Sequence, residues 1–160
     1  MPGSVKPIPD GYHSVTPYLI VKNAGKAIEF YKKAFGATEI LRMCNGDQVC
    51  HAELKIGDSP IMLADECKDM GALSPETIGN SPITIMLYVE NVDALFNQAI
   101  SAGATVLRPV ADQFYGDRTG GVLDPFGHKW YIATHIEDVP HDELERRSEA
   151  ARKEHAKVGG

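Results

Sequence analysis

His51 and Glu53 stand two residues apart in a run of alternating character that ends at Ile56. Alternate side chains of a strand share a face, so this spacing aims an imidazole and a carboxylate into the same space. An imidazole titrates near neutral pH, and an adjacent carboxylate can orient it or a polar substrate, which makes the two a candidate acid and base. The plainer alternative is a pair bonded to each other or solvated. Tyr18, Met62, Met86, Tyr88 and Tyr131 form a second set, soft and aromatic, at strand positions whose alternation separates them from the main apolar residues. With Thr16 and Thr84 they could line a site for flat or apolar small molecules, or simply pack together. In Tyr115-Gly116-Asp117-Arg118, the Arg118 guanidinium could fork onto a carboxylate or phosphate, with Tyr115 beside it and Asp117 orienting it. A structural ion pair is an equal reading of that segment. His128 and His135 read as structural histidines, His135 also as a contact with a partner subunit.

The elements that must position these residues are duplicated. Thr16, Leu19, Val21 and Asn23 recur as Thr84, Leu87, Val89 and Asn91, and Gly36-Ala37-Thr38 recurs as Gly103-Ala104-Thr105. Each copy runs from a strand through a helix with an Asn start and a Gly stop into further strands. The pattern predicts strands at 15–21, 38–43, 49–56 and 60–64 with a helix at 24–35. It then predicts strands at 83–89, 105–110, 120–123 and 129–134 with a helix at 92–102. The expected fold is α+β: two βαβββ units forming a curved mixed-sheet cup with helices on its outer face. The units span residues 13–66 and 82–136, with a flexible leader over 1–12, a linker or lid over 67–81, and a charged C-terminal helix or tail over 137–160. In 49–56 alternation assigns Cys50, Ala52, Leu54 and Ile56 to the core, and Val49, His51, Glu53 and Lys55 to the opposite face.

The chain has 160 residues, 16 Lys and Arg against 22 Asp and Glu, and a net charge of -6. That balance argues against nucleic acid or an anionic membrane as main partner, since both reward clustered positive charge. No apolar run approaches the roughly 20 residues needed to span a bilayer. Three cysteines without CxxC spacing are expected as free thiols in a cytoplasmic protein. No hydrolase, kinase or dinucleotide fingerprint is present.

The paired units, the segment Ala27-Ile28-Glu29-Phe30-Tyr31-Lys32-Lys33-Ala34-Phe35-Gly36 and the turn Asp124-Pro125-Phe126-Gly127-His128-Lys129-Trp130 resemble the vicinal oxygen chelate superfamily of glyoxalases, bleomycin-resistance proteins and extradiol dioxygenases. His51-Ala52-Glu53-Leu54 and the ending from Ala133 to Val139 resemble its PhnB-like branch. The resemblance implies a small-molecule ligand, a homodimer and, in the metal enzymes, ligands from the first and last strand of each unit. Aligned on that pattern, the four positions here are Thr16, Met62, Thr84 and Tyr131, which offer no imidazole, carboxylate or thiolate. A metal-independent binder without cofactor is therefore expected. The alternative is a lyase, isomerase or dioxygenase with a displaced zinc, iron, manganese or nickel site built on His51 and Glu53.

Overall fold

The computed structural model describes residues 3–159, so Met1 and Pro2 of the leader and Gly160 of the tail lie outside the described residues. The first unit contains β1 (Tyr18–Val21), α1 (Ala24–Phe35), β2 (Thr38–Asn45), β3 (Gln48–Ile56) and β4 (Ser59–Asp65). A linker holding a 3-10 turn (Lys68–Met70) and the short α2 (Pro75–Ile78) leads to the second unit. There β5 (Thr84–Tyr88) precedes α3 (Val92–Ala102), β6 (Thr105–Asp112), β7 (Asp117–Leu123) and β8 (Lys129–His135), and α4 (His141–Val158) follows. The fold is α+β, with two four-stranded mixed sheets ordered β1-β4-β3-β2 (sheet 1) and β5-β8-β7-β6 (sheet 2).

The repeated residues are the ones that start and stop the helices. Asn23 Oδ1 accepts from Lys26 N at 3.2 Å and Asn91 Oδ1 from Ala94 N at 3.1 Å, satisfying amides that have no partner inside the helix. At the other end Gly36 adopts φ 68°, which lets the chain turn back so that its N–H reaches the Lys32 carbonyl at 3.1 Å. Ala27, Ile28, Tyr31, Ala34 and Phe35 then bury one face of α1, and Val92, Phe96 and Ala99 one face of α3.

Each helix covers one face of its own sheet, and α1 also packs against α3. Phe30, Tyr31 and Phe35 of α1 meet Phe126 and Trp130 of the second unit, with the Phe35 and Trp130 rings 4.7 Å apart. Asp124 is the polar centre of this junction. Its carboxylate accepts from Tyr31 Oη at 2.5 Å, Trp130 Nε1 at 3.0 Å, and the amides of Phe126 and His128 at 2.9 Å each. Gln98 Nε2 donates to the Lys33 carbonyl, and His128 Nε2 lies 2.9 Å from the Ile20 carbonyl oxygen. The helices thus form a middle layer, and the sheet faces away from them are left open on opposite sides.

Two expectations are corrected in detail. The strand expected over 15–21 begins only at Tyr18, because Pro17 has no N–H for the ladder; its carbonyl accepts from Met62 N at 2.9 Å. Cys50 is exposed and Val49 is buried, the reverse of strict alternation. A register shift between Met43 and Cys44 disturbs the pairing there, and Asp65 Oδ2 draws in the Val49 amide at 2.7 Å.

Candidate functional site

Sheet 1 brings His51, Glu53, Met62 and Tyr18 onto its open face. The register sets Glu53 between Leu41 of β2 and Met62 of β4, and Tyr18 beside Met62 across the β1–β4 pair. Tyr18 Oη lies 2.8 Å from His51 Nδ1, with the rings 5.5 Å apart. Glu53 is only 9% exposed. Its Oε1 accepts from Tyr12 Oη at 2.5 Å, so the leader is tied to the sheet at its end. Its Oε2 lies 3.8 Å from His51 Nε2, beyond hydrogen-bond distance. Burial, then the bond to Glu53 and its charge, push the Tyr12 phenol up to about 12. Burial and the same carboxylate raise the Tyr18 phenol.

Sheet 2 gathers Thr84, Met86, Tyr88 and Tyr131 on its open face, with Met86 directly beside Tyr131. Gly121 makes room for Tyr131: a Cβ there would sit 2.4 Å from the ring. Its neighbour Gly120 does the same on the helix side, where a Cβ would meet Phe96 at 2.7 Å. At one end of this face, Asp117 is 4% exposed and accepts from Tyr88 Oη on one oxygen at 2.7 Å. His135 Nδ1 meets its other oxygen at 2.7 Å, while His135 Nε2 meets Asp138 at 2.6 Å. Asp117, then Asp138, raise the His135 pKa by favouring the imidazolium, the form that donates to both. The Asp117 bond, then burial, raise the Tyr88 phenol.

Three of the sequence candidates are placed elsewhere. Arg118 points to the helix side of sheet 2, where it forks onto Asp93 at 2.8 and 2.9 Å and reaches Asp112 at 2.9 Å. Odd and even residues of β7 face opposite ways, so Asp117 can lie on the open face while Arg118 cannot join it. Tyr115 packs edge-on against Phe114 next to a groove bordered by Leu144 and Ser148 of α4. Thr16 precedes β1, and the residue paired with Met62 is Tyr18. The chain reading assigned no role to Tyr12, and it treated Asp124 as a turn former, since neither long-range partner is visible in local spacing.

The positions corresponding to superfamily metal ligands do not fit such an ion. The resemblance puts them at Thr16 and Met62 in one unit and Thr84 and Tyr131 in the other, and the register sets Tyr18 beside Met62 and Met86 beside Tyr131; none of these is a donor that a divalent first-row metal binds well. Among the described residues no three His, Cys, Asp or Glu side chains are grouped to hold a metal ion. A cavity of about 610 Å³ lies elsewhere, in the crevice between the units, lined by Pro17, Phe35, Ile61, Leu95, Trp130 and strand β5. It contains neither His51 nor Glu53.

Two βαβββ units, each a four-stranded mixed sheet with a helix on one face, define a class of fold, and the sequence matches it. Residues 11–132 match the Glyoxalase/Bleomycin resistance protein/Dioxygenase superfamily, and the chain belongs to it. An uncharacterized protein of Mycobacterium tuberculosis is 41% identical over 136 residues, covering 82% of this chain and 80% of that one. The crystal structure of a gene product from Arabidopsis thaliana superposes with a TM-score of 0.63 at 29% identity, covering 76% of this chain and 98% of that one. A PhnB protein from Bacillus cereus, described as a putative 3-demethylubiquinone-9 3-methyltransferase, superposes with a TM-score of 0.58 at 17% identity over 76% of this chain and 99% of its own. That last likeness is one of fold.

Proposed function

We propose that this protein binds a small organic molecule without a metal, as a homodimer in which the sheet 1 face of one copy closes over the sheet 2 face of the other. The observation that carries this reading is the pair of open faces. Tyr18 is 48% exposed, Met86 42% and Tyr88 58%, so large apolar and aromatic groups stand in water on both sheets. Such surface is characteristic of ligand or subunit contact. The edge strands β1 and β5 are each paired on one side only, and the apolar crevice runs along β5. A second copy would cover both edges and close the two half-sites into one cup. His51 and Glu53 would then contact the bound molecule, either to hold it or to move a proton on it. The exposed thiols of Cys44 and Cys50 suit a reducing cytoplasm.

The test combines light scattering after gel filtration with metal analysis by mass spectrometry, on protein purified without tag or chelator. A dimer with far less than one metal per chain, and no uptake on metal titration, is expected. Near-stoichiometric zinc, iron, manganese or nickel would replace this reading with a lyase, isomerase or dioxygenase using a displaced site at His51 and Glu53. A monomer at working concentration would remove the shared cup.

A further inference from the structure

The buried acids of this protein are matched to donors, with one exception. Asp124 receives four donors, and Asp117 receives a phenol and an imidazole. Glu53 receives one phenol on Oε1, and nothing bonds to Oε2. Among the described residues no Lys or Arg lies within 4.0 Å of it, and the one group there able to carry positive charge is His51, at 3.8 Å. Glu53 is 9% exposed, so this oxygen is held in a fixed place with one free side. Its Oε2 remains accessible from the open face, as no buried side-chain oxygen among the described residues lacks a partner.

The neighbours of that oxygen narrow what would complete it. Tyr12 reaches the carboxylate with its hydroxyl, Met62 and Leu41 flank it across the sheet, and Tyr18 stands in the same row beyond Met62 with its ring 5.5 Å from that of His51. Aromatic faces attract organic cations through the ring quadrupole, and methionine packs adaptably against an apolar body. We propose that the ligand carries an organic cation, a protonated or quaternary amine attached to an apolar or aromatic body, and that Glu53 Oε2 and the Tyr18 ring receive the charged end. This rests on the small-molecule reading above and adds the charge that the ligand must bring. The cation supplies the counter-charge that the chain withholds from Glu53. A free amine can in addition donate a hydrogen bond to Oε2, while a quaternary ammonium relies on charge and the ring face alone.

Calorimetric titration of the intact protein with benzylamine, benzyltrimethylammonium and the uncharged benzyl alcohol tests the assignment, at 0.15 M salt to screen the general negative charge of the chain. Both cations should bind at least about tenfold more tightly than the alcohol. Glu53→Gln keeps the shape of the side chain and should bring the three to within about twofold of one another, while Asp58→Asn, an exposed acid outside this face, should leave the preference intact. Tyr18→Leu should weaken benzyltrimethylammonium more than benzylamine. Equal binding of alcohol and cations, or a preference untouched by Glu53→Gln, would overturn the cation assignment and leave the small-molecule reading standing. Tighter binding of benzyl alcohol than of either cation, lost in Glu53→Gln, would also overturn it by making Glu53 a receptor for neutral donors. Binding of none of these probes to a metal-free dimer would remove the inference. Stoichiometric metal would instead remove the reading beneath it.

Discussion

Asp117 on sheet 2 and Glu53 on sheet 1 are both nearly buried acids that face a tyrosine and a histidine, yet their surroundings differ in one respect. Both oxygens of Asp117 are bonded, and its histidine is held by a second carboxylate. Glu53 is bonded on one side, and its histidine stands off at 3.8 Å. The two clusters do not descend from the same repeat positions: the register places Glu53 opposite Met62, while Gly121 lies opposite Tyr131. Similar groups therefore serve two purposes, distinguished by how fully each acid is satisfied. A saturated cluster fixes the backbone around it. An unsaturated one retains the capacity to bind something else.

The comparison can be broken most sharply at a third acid, the fully saturated Asp124. Asp124→Ala leaves Tyr31 Oη, Trp130 Nε1 and two amides without their acceptor in the core, and should cost roughly 3–5 kcal/mol in a urea unfolding experiment. Asp117→Asn should lower stability, because an amide replaces the nearly buried carboxylate that accepts from Tyr88 and from the half-exposed His135. Glu53→Gln should cost little: the amide oxygen can still accept from Tyr12 and no other donor loses its acceptor, so the melting temperature should hold while ligand preference changes. A fall as large as that of Asp117→Asn would mean that the two acids are alike after all.

Protonation of His135 sharpens the same contrast. Its pKa is raised in the folded state, so its contribution to stability is complete below the unfolded value near 6.5 and is lost as pH rises through the higher folded value. Unfolding free energy measured between pH 6 and 9 should decline over that window, and His135→Asn should flatten the decline. The smallest effect is expected from Arg118→Ala. Its ion pairs lie at the surface on the helix side, so stability should fall only slightly, with ligand binding unchanged. A large loss of binding would return Arg118 to the ligand site.

The helices and their limits were readable from the chain because capping is local. Asn23, Gly36, Asn91 and Gly103 act on amides and carbonyls within one turn of themselves, and α1 and α3 begin and end where that chemistry predicts. The strand faces were readable wherever alternation is unbroken, which is why His51, Glu53, Met62, Met86, Tyr88 and Tyr131 fall on the open faces. Local reading failed where a bulge interrupts alternation, as at Val49 and Cys50. It also failed where one residue's step along β7 decides between the open face and the helix side, as for Arg118.

What the sequence determined by itself was the duplicated α+β plan, the helix boundaries and the two strand faces that carry polar and aromatic groups. Periodicity and capping depend on neighbours a few positions away, and those are written in the chain directly. Only the tertiary structure decided that Tyr12 reaches back to Glu53, that Asp124 joins the two units, and that Asp117 is saturated while Glu53 is not. Each of those outcomes depends on whether a donor arrives from a segment tens of residues away. Such a meeting is set by the packing of α1 on α3 and by the register of the sheets, neither of which any single segment specifies.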